Sequence, residues 1–272
     1  MAGALRRLLH RHAYLNHTSS TGSDISSCPP SHISDLVSTE AATKKACRDK
    51  PLPEAFHACN TPEGCLLAGH VEIGTRRGIA ICVEVTSLSG VAFTGPAAHD
   101  VVRAIIAEVL LGSTTGEAEL LMTTELAERL LPGLGPNRMV RTSKGDADLV
   151  RGVHAELIAQ ARRLDSPGPL DNAGSDPVRP EHPLPLLLVV LEQVPEDLLA
   201  RWTALLTKTS AHRIAVLILG ESPLAVGRVT TGAARLVIGA APEESAVRLV
   251  GTSLFAMGPG ETVDVLRSAL DG

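Results

Sequence analysis

Aromatic residues are nearly missing from this chain: one Trp, one Tyr and three Phe in 272 residues. Flat rings stack on bases and sugars, so their scarcity argues against base-stacking platforms and aromatic sugar sites. Long apolar runs are missing too. A bilayer span needs roughly 20 apolar residues, and the longest run, Leu186 to Leu191, is strand length. There is no basic excess. Lys and Arg number 25 against 30 Asp and Glu, a net charge of −5, so overall charge does not indicate a nucleic-acid partner. No G-x-S-x-G elbow is present, which leaves Ser89 and Ser222 isolated and a hydrolase triad unsupported. The cysteines are odd in number (Cys28, Cys47, Cys59, Cys65 and Cys82) and make a poor disulfide framework. Cys82 falls in an apolar strand pattern and reads as an ordinary buried thiol. The compartment therefore reads as reducing and cytoplasmic.

What remains is aliphatic. The chain is 44% hydrophobic and 20% charged, enough for a sizeable core of Leu, Val, Ile and Ala. Residues 1–65 are rich in Ser, Thr, His, Pro and Cys with little periodicity, and read as a poorly structured, disordered N-terminal segment. Arg6, Arg7 and Arg11 stand there without an acid before Asp24, but the continuous apolar core of a secretory signal is absent. From residue 66 to 272 strands and helices alternate. Ile79 to Val85 and Val91 to Phe93 read as strands. Val101, Val102, Ile105, Ile106, Val109 and Leu110 repeat at helical spacing and predict an amphipathic helix. Glu119 to Thr123 is a strand, and Thr124 is positioned to cap the helix after it. Asp146 to Leu164 is a long helix with Leu149, Val153, Leu157, Ile158 and Leu164 on one face. The proline-rich stretch 165–183 reads as a long loop. Leu186 to Leu191 and Ile214 to Leu219 carry no polar residue, the mark of strands buried on both faces. Arg228 to Thr231 and Arg235 to Ile238 read as an edge hairpin, Thr252 to Met257 as a last strand and Glu261 to Leu270 as a last helix. The expected fold is α/β: a mostly parallel sheet covered by helices on both faces, of the P-loop-ATPase kind.

The chemistry would sit between Val91 to Phe93 and the helix that follows. A phosphate-binding loop there needs glycines, so that backbone N–H groups can wrap the phosphates. It also needs a lysine for the outer phosphates and a Ser or Thr for magnesium. Thr94 and Gly95 open this loop, but Ala97 stands at the next glycine position, Ala98 at the lysine position and His99 at the Ser/Thr position. The helix N-terminus still offers its dipole, while Asp100 brings negative charge close to where an anion would sit. The second element is Leu188 to Glu192, an apolar strand ending in one acid, where such an ATPase keeps its metal-binding and water-activating carboxylates. The site residues expected from sequence are thus Thr94, Gly95, Ala97, Ala98, His99 and Glu192. With lysine and metal hydroxyl both missing, ATP and magnesium are disfavoured as cofactors and catalysis is not expected.

The succession of Val71 to Val85, the Thr94–Gly95 loop with its helix, Leu186 to Glu192 and Ile214 to Pro223 resembles the motor domain of FtsK/HerA-type DNA translocases. It does so over residues 70 to 260. In that family a hairpin beginning with an isoleucine–glycine turn precedes the phosphate-loop strand. The segment is also similar to the degenerate middle part of large actinobacterial proteins that carry a LysM module and a bacterial transcriptional activator domain. Their loops read leucine-threonine-glycine-proline-glycine. The resemblance implies a non-catalytic interaction or regulatory module on a degenerate P-loop fold, linked to transcriptional regulation, with a protein partner or self-association. The alternative it implies is an ATP-binding protein of the translocase type.

A third reading is a zinc-binding regulator. Cys47, His57, Cys59, Cys65 and His70 lie close together, but none of the gaps makes the C-x₂₋₄-C or H-x₃₋₅-H pairs of structural zinc sites. They remain weak candidates.

Overall fold

The structure is a computed structural model, which describes residues 56–59, 69–112, 118–165, 185–209, 212–232, 235–241 and 249–271. All of them fall in the compact unit that begins at Ala55. Regular structure starts earlier than residue 66. β1 (Phe56–Cys59) lies inside the segment read as unstructured and pairs antiparallel with β3 (Ile79–Glu84). β2 (His70–Arg76) makes a hairpin with β3, turning at Arg77 and Gly78. The two-residue strand β11 (Ser253–Leu254) adds to the other edge of β2, so this antiparallel sheet runs β1-β3-β2-β11. Thr252 to Met257 was expected as a longer strand. The regular strand is only Ser253–Leu254; Phe255 still donates to the Ile73 carbonyl at 2.8 Å, and by Met257 the chain has turned to the Asp100 carbonyl of α1.

The main sheet has seven strands in the order β10-β9-β4-β8-β7-β5-β6. Here β4 is Val91–Thr94, β5 Ala118–Thr123, β6 Val140–Ser143, β7 Leu186–Leu191, β8 Ile214–Leu219, β9 Gly227–Thr231 and β10 Val237–Ala241. Every neighbour from β9 to β6 is parallel; β10 alone runs antiparallel, against β9. The expected edge hairpin is therefore half an edge: β10 is the rim and β9 lies inside, on β4. β7 and β8 are buried at every residue, as all-aliphatic runs covered by helices must be.

α1 (Ala98–Gly112) follows β4, α2 (Thr124–Leu130) follows β5, α3 (Asp146–Asp165) follows β6, α4 (Leu199–Thr209) follows β7, and α5 (Pro259–Leu270) closes the described chain. One face of the sheet carries α3 and α4. Their Leu149, Val153, Leu157, Trp202 and Leu205 pack on Val189, Leu191, Val216 and Ile218. α1 is not the amphipathic helix its spacing predicts. Residues 101–110 are all buried, Arg103 and Glu108 included, because β2 and α5 pack against it as well as the main sheet.

Three smaller expectations are corrected. Thr123, not Thr124, caps α2: its hydroxyl accepts from the Leu126 N–H at 3.3 Å, and Thr124 donates instead to the Ser143 carbonyl. Two adjacent threonines give the pattern no way to choose between them. Ile158 and Leu164 are 40% and 54% exposed rather than in the core, since α4 covers only part of the α3 face. Cys82 is disulfide-bonded rather than a free thiol. β3 lies beside β1, with His57 opposite Cys82 in the register, a neighbour that sequence order did not announce.

The long loop expected at 165–183 lies outside the described residues, apart from the end of α3. So does most of the 1–65 segment. No described helix is long and apolar enough to cross a membrane.

Candidate functional site

The carboxyl ends of β4, β7 and β8 meet at one edge of the parallel sheet, where open α/β sheets bind ligands. A cleft of about 470 Å³ opens there, lined by Thr94, Gly95, Ala98, His99, Glu192 and Glu221, with Gln193 and Gly220 beside them. Five of the six expected site residues are thus brought together from strands far apart in sequence. Ala97 is buried and stands outside the lining.

Each residue is held for a reason that can be named. The loop between β4 and α1 holds only Gly95, Pro96 and Ala97. A G-x-x-x-x-G-K loop puts four residues between its glycines alone, and that slack lets successive N–H groups face a phosphate. Here proline removes one N–H, and the Ala98 N–H is spent on the Gly95 carbonyl at 3.2 Å. Gly95 has φ +94, and a Cβ built on it would stand 2.1 Å from the Thr231 carbonyl oxygen. The glycine is thus required by the close approach of β9. The Thr94 hydroxyl shares a hydrogen bond with the Thr230 hydroxyl at 3.1 Å, and the Thr231 hydroxyl donates to the Thr94 carbonyl at 2.9 Å. The threonines at the loop stitch β4 to β9.

Asp100 does not leave a bare negative charge at the loop. Its carboxylate pairs with Arg103, a buried cation whose Nε also donates to the Met257 carbonyl at 3.0 Å. The Met257 N–H returns to the Asp100 carbonyl at 3.0 Å, which ties the start of α1 to the segment before α5. In an isolated sequence Arg103 is only a polar break in an apolar helix.

Glu192, just past β7, is the residue whose setting the sequence did not disclose. Arg129 reaches it from α2 with both guanidinium nitrogens, Nη1 donating to Oε1 at 3.0 Å and Nη2 to Oε2. Such a fork satisfies a carboxylate on both oxygens. The hydrogen bond to Glu192, with its charge and that of Glu125, raises the Arg129 pKa above its usual value, against an opposing push from burial. His99 Nε2 stands 3.9 Å from Glu192 Oε1 on the other side, at the mouth of the cleft. The three side chains form a row, with the acid between two basic groups.

Behind this row Thr123, Lys144, Asp146 and Gln193 line a smaller recess. Burial pushes the Asp146 carboxyl above its usual range, and the charge of Glu125 adds to that while a hydrogen bond to its own backbone opposes it. A carboxyl raised in the folded state favours its neutral form there. Its cost to stability is therefore absent below the unfolded pKa of 3.8, grows as pH rises from there to the folded value, and is constant above it. Asp146→Asn is expected to stabilise the fold at about pH 7 and to leave it unchanged at about pH 3. Urea titrations at the two pH values check this, and an equal effect at both would remove burial of the charge as the cause.

Of the candidate zinc ligands, Cys47 and Cys65 lie outside the described residues. His57 and Cys59 fall in β1, and His70 begins β2. No cluster of three metal-type ligands occurs among the described residues.

The fold and the place of the cleft define the class: an α/β domain with a mostly parallel sheet and a cleft at the carboxyl ends of its strands. No family model matches the chain and no curated protein matches it. Solved structures do. The cytoplasmic domain of the type VII secretion ATPase EccC from Thermomonospora curvata is 13% identical, at a TM-score of 0.44 over 66% of this chain and 24% of that one. EssC (ATPases 2 and 3) from Geobacillus thermodenitrificans is 12% identical, at 0.44 over 75% of this chain and 44% of that one. The pCW3 conjugation coupling protein TcpA, solved with ATPγS, is 11% identical, at 0.48 over 80% and 75%. The chain thus spans less than half the length of the first two. At 11–13% identity and TM-scores below 0.5, these likenesses assign this chain no activity.

Proposed function

We propose that this domain is a non-catalytic interaction or regulatory module on a P-loop-ATPase-like fold. The observation that carries the reading is the state of Glu192. An acid at the end of this strand serves an ATPase by holding a hydrated metal or activating water, and it needs a free carboxylate face. Here Arg129 occupies both oxygens. The lysine position is Ala98, buried at 3% exposure, and cannot reach a phosphate. The link to transcriptional regulation rests on the sequence resemblance alone.

A thermal melt tests the reading. A ligand that binds the native state at 100 times its Kd stabilises it by about 2.7 kcal/mol. For a domain of this size that is a rise of roughly 5–10 °C. With millimolar ATP and magnesium we expect no rise, and a rise of that order overturns the proposal.

The alternative, an ATP-binding protein of the translocase type, is favoured by one observation: the cleft at the ends of β4, β7 and β8 is open. In that reading His99 supplies the positive group at the helix start. Nucleotide-dependent stabilisation would then vanish in His99→Asp, and its persistence would place the nucleotide elsewhere.

A further inference from the structure

A second concavity, which shares no residue with the cleft, lies between α3 and α4 on one helical layer. It measures about 640 Å³. Its floor is aliphatic: Val150 and Leu157 from α3 and Leu205 from α4, all buried. Ile158 stands in its wall with 40% of its surface in water. Its rim carries five basic side chains, Arg151, His154, Arg201, Lys208 and His212, and no acid among the described residues lines it. Arg151 is paired with Asp148 on its own helix, one turn back. Among the described residues Arg201 and Lys208 have no ion-pair partner, and both flank the opening from α4.

This arrangement is unusual for a chain with five more acids than bases. A run of one charge sign around an apolar trough selects its occupant twice. Apolar side chains must enter the trough, and carboxylates must meet the rim. Two helices side by side leave a groove that takes a third helix, read by anchors at i, i+3, i+4 and i+7. A nucleic acid fits less well, since its charged backbone would lie on an aliphatic floor and the rim has no aromatic ring for its bases.

We propose that the α3–α4 groove docks an acidic amphipathic helical segment of a partner protein. Leucine-type anchors would sit on Leu157, Ile158 and Leu205, and Asp or Glu side chains on Arg201 and Lys208. The proposal rests on the reading of the domain as an interaction module and names the class of partner.

Selection from a displayed library of random peptides tests it, with counter-selection on the Arg201→Glu/Lys208→Glu double variant. The expected winners carry acids and large aliphatics at helical spacing. Their synthetic forms should bind the wild-type chain at least tenfold more tightly than that variant or Ile158→Asp. Binding should weaken as salt is raised. Arg77→Glu, in the β2–β3 turn, should bind like wild type. Equal melting temperatures of all variants establish that each is folded. Winners without acids, no winner that depends on the groove, or displacement by a single-stranded oligonucleotide that binds the same groove more tightly would each overturn the assignment. Those outcomes are independent of the nucleotide melt. Failure here with no nucleotide response removes the groove alone, whereas a nucleotide response removes the parent reading.

Discussion

Gly95→Ala is expected to lower stability by about 2–5 kcal/mol, more than a methyl group added at Gly220 on the same cleft. Two costs add. A non-glycine residue at φ +94 is strained by roughly 1–2 kcal/mol. The new Cβ would also stand 2.1 Å from the Thr231 carbonyl, inside the repulsive wall, so β9 must move off β4. Overpacking of that kind costs typically 1–3 kcal/mol, and here the obstacle is backbone held by the Thr94–Thr231 hydrogen bond. Gly220→Ala is the control. Its φ is +85, but nothing lies within 4 Å of its Cβ, so it should cost only about 1 kcal/mol. Urea unfolding followed by Trp202 emission measures both. Equal costs would show that backbone strain is the whole effect and that the approach of β9 is immaterial. The consequence for function is direct. Loss of nucleotide binding in a Gly95 variant would not identify a phosphate cradle, because the same substitution loosens two neighbouring strands of the sheet.

That result also shows which kinds of information the sequence held. Buried strands were legible because burial on both faces demands unbroken aliphatic runs, as in Leu186 to Leu191 and Ile214 to Leu219. The site was legible as far as chain order allowed. Thr94, Gly95, Ala98, His99 and Glu192 do line one cleft, since they stand at the carboxyl ends of β4 and β7, which lie at the same edge. What those residues are doing was not legible. Gly95 looks like a remnant of a phosphate loop until β9 is placed against it. Glu192 looks like a lone acid until Arg129 arrives from 63 residues away. Asp100 looks repulsive until Arg103 is found buried beside it. Each miss is a pairing across elements, and helical or strand periodicity describes one element at a time. α1 failed for the same reason. Its polar Arg103 and Glu108 suggested a wet face, and β2 with α5 covered it.

Trp202→Ala is the second large effect expected, about 3–5 kcal/mol, because a large buried side chain is removed from a region that can collapse only in part. Trp202 is fully buried on α4, between the sheet residues Val189, Leu191, Val216 and Ile218 and the α3 residues Leu149 and Val153. The melting temperature should fall by roughly 10 °C or more. Circular dichroism must report it, since this is the one tryptophan in the chain. Trp202→Phe separates volume from polarity. The indole Nε1 is buried with no hydrogen-bond partner in the described structure, and an unpaired buried donor costs about 1–3 kcal/mol. Phenylalanine gives up part of the volume but removes that donor, so its net cost should be under about 1.5 kcal/mol. If Phe is as damaging as Ala, the indole N–H and second ring that both lack set the position, and relief of an unpaired donor is ruled out. The pair bears on the docking groove as well. Trp202 is the inner anchor of α4, and the same helix presents Arg201, Leu205 and Lys208 to the groove. A Trp202→Phe chain that keeps its stability and its peptide affinity would show that the groove needs α4 in place and does not need the indole itself.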